Sequence, residues 1–175
     1  MGWRSCVGGG VRGRHVDPRP SQSGRGKRGR IAHALGRSRG GYGSKAVVAC
    51  DARGLALAFV LLCGQASELR AAPSLLATVT ALGQVGRVVC DRAYSSRPWR
   101  LMIEEAGADQ CVPANRTHPP VCYDRRAYAR RHKVENLWAR LKEWRAVSTR
   151  YDKTAASYQG ALHIAAIIDR LSNRA

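Results

Sequence analysis

The stretch from Tyr128 to Lys142, YARRHKVENLWARLK, places a single carboxylate, Glu135, in a run of cations. These cations are Arg130, Arg131, Lys133, Arg140 and Lys142. One interpretation of Glu135 is an ion pair with Arg131, which lies four residues earlier on a helix. The other is a metal ligand held inside a surface that binds phosphate groups.

A helix through this stretch places four of its side chains on one stripe. At ~100° per residue, Tyr128, Arg131, Glu135 and Lys142 fall within about 60° of one another. The apolar residues occupy a separate sector and are Val134, Leu137, Trp138, Leu141 and Trp144. We therefore expect Glu135 at the edge of the buried face, and both tryptophans in the core rather than stacked on bases. A surface ion pair explains Arg131 and Glu135, but it does not explain the whole stripe.

A second acid, Asp91, ends the short apolar run 87–91, which is typical of a buried strand. An acid at the end of a strand can cap the turn that follows it. Asp51 lies in the sequence DARG between two β-rich runs. That pattern predicts a hairpin, so we interpret Asp51 as a turn residue.

The elements that must position these acids alternate between strand and helix patterns. After the hairpin, the sequence predicts a helix over 67–82, a strand over 87–91, a helix that starts after Ser96 and stops at Gly107, and a strand over 110–113. A long helix over about 124–147 and a last helix over 154–171 follow. This order indicates an α/β fold in which part of the sheet is parallel.

The charge of the chain indicates its partner. Lys and Arg number 30 against 12 Asp and Glu, a formal net charge of +18, which favours nucleic acid. Residues 1–44 are rich in Gly, Arg and Ser without apolar periodicity, and we predict a mostly disordered basic arm. Residues 45–172 form the predicted folded domain.

Other classes of protein are disfavoured by composition. No apolar run approaches the ~20 residues of a membrane helix, and the N-terminus lacks the apolar core of a secretory signal. We therefore expect a cytoplasmic protein with no membrane partner. The six cysteines form no C-x-x-C pair, which argues against a zinc site or a disulfide framework.

The spacing Tyr128-x2-Arg131-x3-Glu135-x6-Lys142 resembles the signature of the DDE-type insertion-sequence transposases of the IS-four/IS-five group. Four further stretches are similar to successive blocks of an IS-five-type subgroup. They are HALGRSRGGYGSK, CDARGLALAFVLL with GQASE after it, VVCDRAYSSR, and VENLWARLKEWRAVSTRYDKTAASYQGALHIAA. The likeness runs from about residue 33 to residue 166.

The resemblance implies an RNase H-like fold in which three acids hold two divalent ions, Mg²⁺ or Mn²⁺, for phosphodiester cleavage and strand transfer. Asp91 matches the second acid of the family and Glu135 matches the third. Tyr128, Arg131 and Lys142 match the members of the signature that contact DNA. The implied partner is double-stranded DNA, as transposon ends and as target, and the active form is at least a homodimer.

The first acid of the family lies on the first strand, ahead of the basic block that holds Arg37 and Arg39, two further DNA-binding candidates. The upstream acid in this chain is Asp17, in RHVDPRPSQ. Pro18 and Pro20 are poorly suited to a strand interior. Asp17 is therefore the candidate first ligand, and the alternative is a chain that lacks the first acid and an intact first strand.

Two functions stay open at this point. The first is an insertion-sequence transposase that binds transposon ends and cleaves DNA; the second is a catalytically inactive remnant that only binds DNA. An unrelated ribosomal-type RNA-binding protein would explain the charge, but not the acids and the stripe. Salt weakens phosphate contacts in either transposase case, so metal-dependent cleavage is the feature that separates the two.

Overall fold

The structure, a computed structural model, describes residues 3–15, 34–38 and 41–173; for residues 3–15, 38, 41 and 42 it describes the backbone. The strands are β1 Trp3–His15, β2 Gly36–Ser38, β3 Gly41–Cys50, β4 Ala56–Cys63, β5 Val85–Val89, β6 Asp109–Cys111 and β7 Thr149–Arg150. The helices are α1 Ala72–Leu82, α2 Arg97–Glu105, α3 Arg125–Ala129, α4 His132–Lys142, α5 Arg145–Ser148 and α6 Ala155–Ser172. The chain is a mixed α/β protein, as predicted.

The described strands form one sheet with β1 at its centre. On one side, β1 pairs antiparallel with β3, which pairs antiparallel with β4 and β2. On the other side, β1 pairs parallel with β5, and β5 pairs parallel with β6. The far end of β1 also pairs parallel with β7. Part of the sheet is therefore parallel, which confirms the prediction from the order of elements.

Strand β1 differs from the expectation that residues 1–44 are mostly disordered. The segment WRSCVGGGVRGRH forms ladders with β3, β5 and β7, and β3 begins at Gly41, before the expected boundary at residue 45. Composition did not reveal β1, because backbone hydrogen bonds hold a central strand on both edges without a long apolar run. An N-terminal strand is therefore present, which corrects the alternative in which it is missing. Residues 1–2, 16–33 and 39–40 of the predicted arm lie outside the described residues.

Helices cover both faces of the sheet. Along β3, Val47 packs in the cluster beneath α1 and α2, whereas Val48 packs in the cluster beneath α4 and α6. Along β5, Val88 belongs to the first cluster and Val89 to the second. This alternation follows from the two-residue period of a strand, and it defines an α4 face and an α1 face of the sheet.

The helix predicted over 124–147 is three shorter helices. At Arg130 and Arg131 the backbone angles stay helical, but the hydrogen bonds there span three residues instead of four. The amide of Arg131 donates to the carbonyl of Tyr128 at 2.9 Å. At Trp144 the backbone is extended (φ −76°, ψ 115°), and the helical path ends there. Neither helix break coincides with a glycine or a proline, the residues from which a break could have been predicted.

The break at Trp144 also corrects its predicted burial. Trp138 is 4% exposed and packs against Phe59 with ring centroids 6.1 Å apart, as expected for a core residue. Trp144 is 40% exposed. The prediction that Trp144 is buried assumed one continuous helix through this position, but the helical path ends at Trp144.

Side-chain caps mark the start of two further helices. Ser96 accepts a hydrogen bond from the amide of Trp99 and starts α2, and Thr154 caps α6 in the same way. Ser67 precedes a 3₁₀ turn, Glu68–Ala71, and makes no capping hydrogen bond there. Within residues 3–15, 34–38 and 41–173, no helix has both the length and the apolarity needed to cross a bilayer.

Candidate active site

Asp91 lies two residues beyond the end of β5, at the start of the 3₁₀ turn Arg92–Tyr94. Its Oδ1 accepts a hydrogen bond from the amide of Arg92 at 2.6 Å, so Asp91 caps this turn. Its side chain remains 45% exposed, and Oδ2 points to a second partner, Arg131. The capping interpretation of Asp91 is therefore compatible with a further role for the same carboxylate.

Arg131 connects Asp91 to Glu135. A guanidinium nitrogen of Arg131 lies 2.9 Å from Glu135 and 3.9 Å from Asp91. Glu135 lies in the first turn of α4, whose N-terminal end is close to the end of β5. The two acids predicted from the sequence thus share one cation. The i,i+4 ion pair expected on a helix is also present, although Arg131 sits at the boundary between α3 and α4.

Tyr128 joins the same group. Its hydroxyl donates to Oδ1 of Asp91 at 3.5 Å, and the guanidinium of Arg131 lies 5.9 Å from the centre of its ring. Partial burial, together with the negative charge of Asp91, raises the pKa of Tyr128. The hydroxyl therefore stays protonated at neutral pH and remains a donor to Asp91.

Tyr123 is a member of this site that the sequence analysis did not identify. Its ring meets that of Tyr128 edge to face, with centroids 5.4 Å apart, an arrangement that fixes the position of an aromatic side chain. Tyr123 precedes Asp124, the N-cap of α3. Asp124 could be predicted from the sequence as a helix start, but the contact between the rings of Tyr123 and Tyr128 depends on how the chain turns into α3.

Other predicted residues lie apart from this group. Lys142 is exposed at the last position of α4, about 10 Å along the axis from Glu135 at 1.5 Å per residue. Arg37 is exposed on β2. Asp17 and Arg39 lie outside the described residues. The structure therefore brings together Asp91, Tyr128, Arg131 and Glu135, with Lys142 on the same helix.

Asp51 has the turn role that the sequence indicated. Its Oδ1 accepts hydrogen bonds from the amides of Arg53 and Leu55, both at 2.9 Å, and the residue is only 3% exposed. Gly54 completes the turn with φ +83°, a conformation that favours glycine. The carboxylate of Asp51 is thus occupied by the backbone of the β3–β4 hairpin.

The described residues do not fit a site for two divalent ions. Asp91 and Glu135 supply the oxygen ligands that Mg²⁺ and Mn²⁺ prefer, but both are paired with Arg131. Among residues 34–38 and 41–173, whose side chains are described with few exceptions, no group of three His, Cys, Asp or Glu side chains is placed to hold a metal. Two carboxylates are too few for a pair of ions.

Known proteins define the class of this chain. The family described as "Transposase DDE domain" matches residues 88–172, from the end of β5 to the end of α6. The chain belongs to the DDE transposases of insertion sequences. A relative from Brucella ovis, named "Putative transposase for insertion sequence element IS6501", is 33% identical over 118 residues, which are 66% of this chain and 88% of the relative.

Proposed function

We propose that this chain binds double-stranded DNA at transposon ends, and that Tyr128, Arg131 and Lys142 contact its phosphate backbone beside the acids Asp91 and Glu135. The observation that carries the proposal is the position of Arg131, which lies 2.9 Å and 3.9 Å from the two carboxylates and is still 30% exposed. A guanidinium in this position can bind a phosphate oxygen while it stays next to the acids.

Exposed cations lie along α3 and α4 and at the start of α5. They are Arg125, Arg126, Arg130, Lys142 and Arg145. Exposed cations in one region give binding that depends on phosphate contacts and falls steeply with salt. Arg37 on β2 and Arg39 after it are further candidates, and the exposure of Arg37 supports that assignment.

An RNase H-like fold is part of the proposal. It is supported by the order of the sheet. The central strand β1 pairs antiparallel with β3 of the β3–β4 hairpin on one side. On the other side it pairs parallel with β5, which pairs parallel with β6. Helices on both faces of the sheet agree with the same architecture. Asp91 at a strand end and Glu135 on a covering helix would then be the second and third acids of the class.

The second candidate function is metal-dependent cleavage of a phosphodiester bond followed by strand transfer. It is favoured by the convergence of Asp91 and Glu135, whose oxygen ligands suit Mg²⁺ or Mn²⁺. Joining two transposon ends would require at least a homodimer. DNA binding without cleavage remains the function that the described side chains support best, because two acids alone do not hold a pair of ions.

A labelled transposon-end duplex tests both functions. Binding is measured by fluorescence anisotropy across a salt titration, and nicking is measured with Mg²⁺ or Mn²⁺ present. We expect tight, salt-sensitive binding that Asp91→Ala and Glu135→Ala retain. Absence of binding at low salt would refute the proposal. Metal-dependent nicking that both substitutions abolish would favour the second candidate over the first.

A further inference from the structure

The neighbours of Asp91 in the sheet can be read from strand register. The last ladder pair of β5 with β6 is Val89 with Cys111, and the same register continued by two residues puts Pro113 next to Asp91. On the other side, the last ladder pair is Val89 with Cys6 of β1, and the same continuation puts Gly8 next to Asp91. Neither neighbouring position therefore carries a carboxylate.

Position 8 also belongs to the face of the sheet that meets α4. Val89 lies in the cluster beneath α4, and residues two apart on a strand share a face. Independently, Gly8 pairs directly with Val48 of β3, which lies in the same cluster. Both pairings of β1 thus place position 8 on the face where α4 carries Glu135.

We infer that position 8 is where the sheet would complete the acid group, and that the glycine there leaves this chain unable to hold a pair of divalent ions. An aspartate at position 8 would stand beside Asp91 on the face of Glu135. With glycine, the two acids are instead both paired with the single guanidinium of Arg131. This inference deepens the proposed function, on which it rests, and separates DNA binding from metal binding in this chain.

Asp17 is the other source of a third acid. The described part of β1 ends at His15, seven residues beyond Gly8, or about 23 Å along a strand at ~3.3 Å per residue. Asp17 follows two residues later in the sequence and lies outside the described residues. The test therefore includes Asp17→Asn as well as substitutions at position 8.

The experiment measures Mn²⁺ binding by electron paramagnetic resonance. Gly8→Asp is compared with Gly8→Asn, which has the same shape without the charge. We expect Gly8→Asp to bind Mn²⁺ at least about tenfold more tightly than the unmodified chain and than Gly8→Asn, because a third carboxylate adds ligand charge. Glu135→Gln, placed in the Gly8→Asp background, removes that gain.

Other outcomes overturn the inference. They are equal gains from Gly8→Asp and Gly8→Asn, or a gain that survives Glu135→Gln. Tight Mn²⁺ binding by the unmodified chain that Asp17→Asn abolishes would move the third acid to Asp17.

A second measurement covers the case in which Gly8→Asp does not fold, which circular dichroism detects. The unmodified chain and its Asp91→Asn variant are then titrated with Mn²⁺. We expect both proteins to bind Mn²⁺ weakly, with dissociation constants within about threefold of each other. Two acids that are paired with Arg131 supply too little ligand charge for tight binding. Tight binding by the unmodified chain that Asp91→Asn weakens by tenfold or more would overturn it.

DNA binding is recorded in parallel on the same samples. Absence of salt-sensitive DNA binding, with the expected Mn²⁺ results, would refute the proposed function and leave the inference about position 8 intact. Normal DNA binding together with tight Mn²⁺ binding by the unmodified chain would overturn the inference about position 8 and leave the proposed function intact.

Discussion

Arg131 and Asp91 are far apart in the sequence, yet a guanidinium nitrogen of Arg131 lies 3.9 Å from the carboxylate of Asp91. This contact joins the segment that follows β5 to the start of α4. The same guanidinium neutralises Glu135 at 2.9 Å. All three side chains are at least 30% exposed, so the ion pairs contribute little to folding stability. Their main effect is on the charge of the surface that we propose binds DNA.

Arg131→Gln tests that role. We expect weaker binding to duplex DNA and a salt dependence reduced by about one ion, because one phosphate contact is lost. Fluorescence anisotropy at several salt concentrations measures both quantities. The matched control is Arg70→Gln, since Arg70 is exposed in the turn Glu68–Ala71 before α1. Equal losses in the two variants would show that net charge alone controls binding.

Asp51→Ala should destabilise the fold without affecting DNA binding. The buried carboxylate accepts two backbone hydrogen bonds, and leaving those amides without an acceptor costs about 1–3 kcal/mol of unfolding free energy. Urea denaturation measures the loss. Asp109→Ala is the control, because the side chain of Asp109 is 70% exposed. A loss of DNA binding in folded Asp51→Ala would contradict the turn assignment.

The two tryptophans should respond differently to truncation. Trp138→Ala removes a buried ring that packs on Phe59 and should lower the free energy of unfolding by about 3–5 kcal/mol. Trp144→Ala removes a side chain that is 40% exposed, and its cost should be below about 1 kcal/mol. Denaturation followed by circular dichroism compares them. Similar losses for both would mean that Trp144 is buried.

Asp124 should make stability depend on pH. The backbone amide of Ala127 donates to its carboxylate, and with help from Arg87 this lowers the pKa of Asp124 below the ordinary value of 3.8. The unfolded chain then takes up this proton before the folded chain does. The stabilisation is therefore present above pH 3.8 and disappears as the pH falls through the folded pKa.

The corresponding substitution is Asp124→Ala. We expect a lower melting temperature than that of the unmodified chain at pH 7, and a gap that narrows as the pH falls below 3.8. Thermal denaturation at several pH values measures the gap. A gap that stays constant down to acid pH would show that Asp124 does not act through its charge.

Local signals in the sequence predicted the elements that position the site. Ser96 and Thr154 marked two helix starts, and the four-residue spacing of Arg131 and Glu135 predicted their ion pair. Burial of Trp138 followed from the helical period. Each of these features depends on residues within one or two turns of each other, so a single sequence contains the information.

Features that depend on distant partners were not predictable. Strand β1 has few apolar residues and is held by ladders to β3, β5 and β7, whose positions no local pattern reveals. Exposure of Trp144 depends on a change in backbone direction without a glycine or proline. The contact of Arg131 with Asp91 needed both the strand end and the helix start to be placed first.

The central position of β1 has a consequence for synthesis on the ribosome. The strand that lies in the middle of the sheet leaves the ribosome before the other described strands, while β5 and β7 follow much later in the chain. The β3–β4 hairpin can cover one edge of β1 early, but the other edge stays unpaired until β5 and β7 have emerged, and unpaired edges promote aggregation. Slowed translation in the second half of the chain should therefore lower the yield of folded protein.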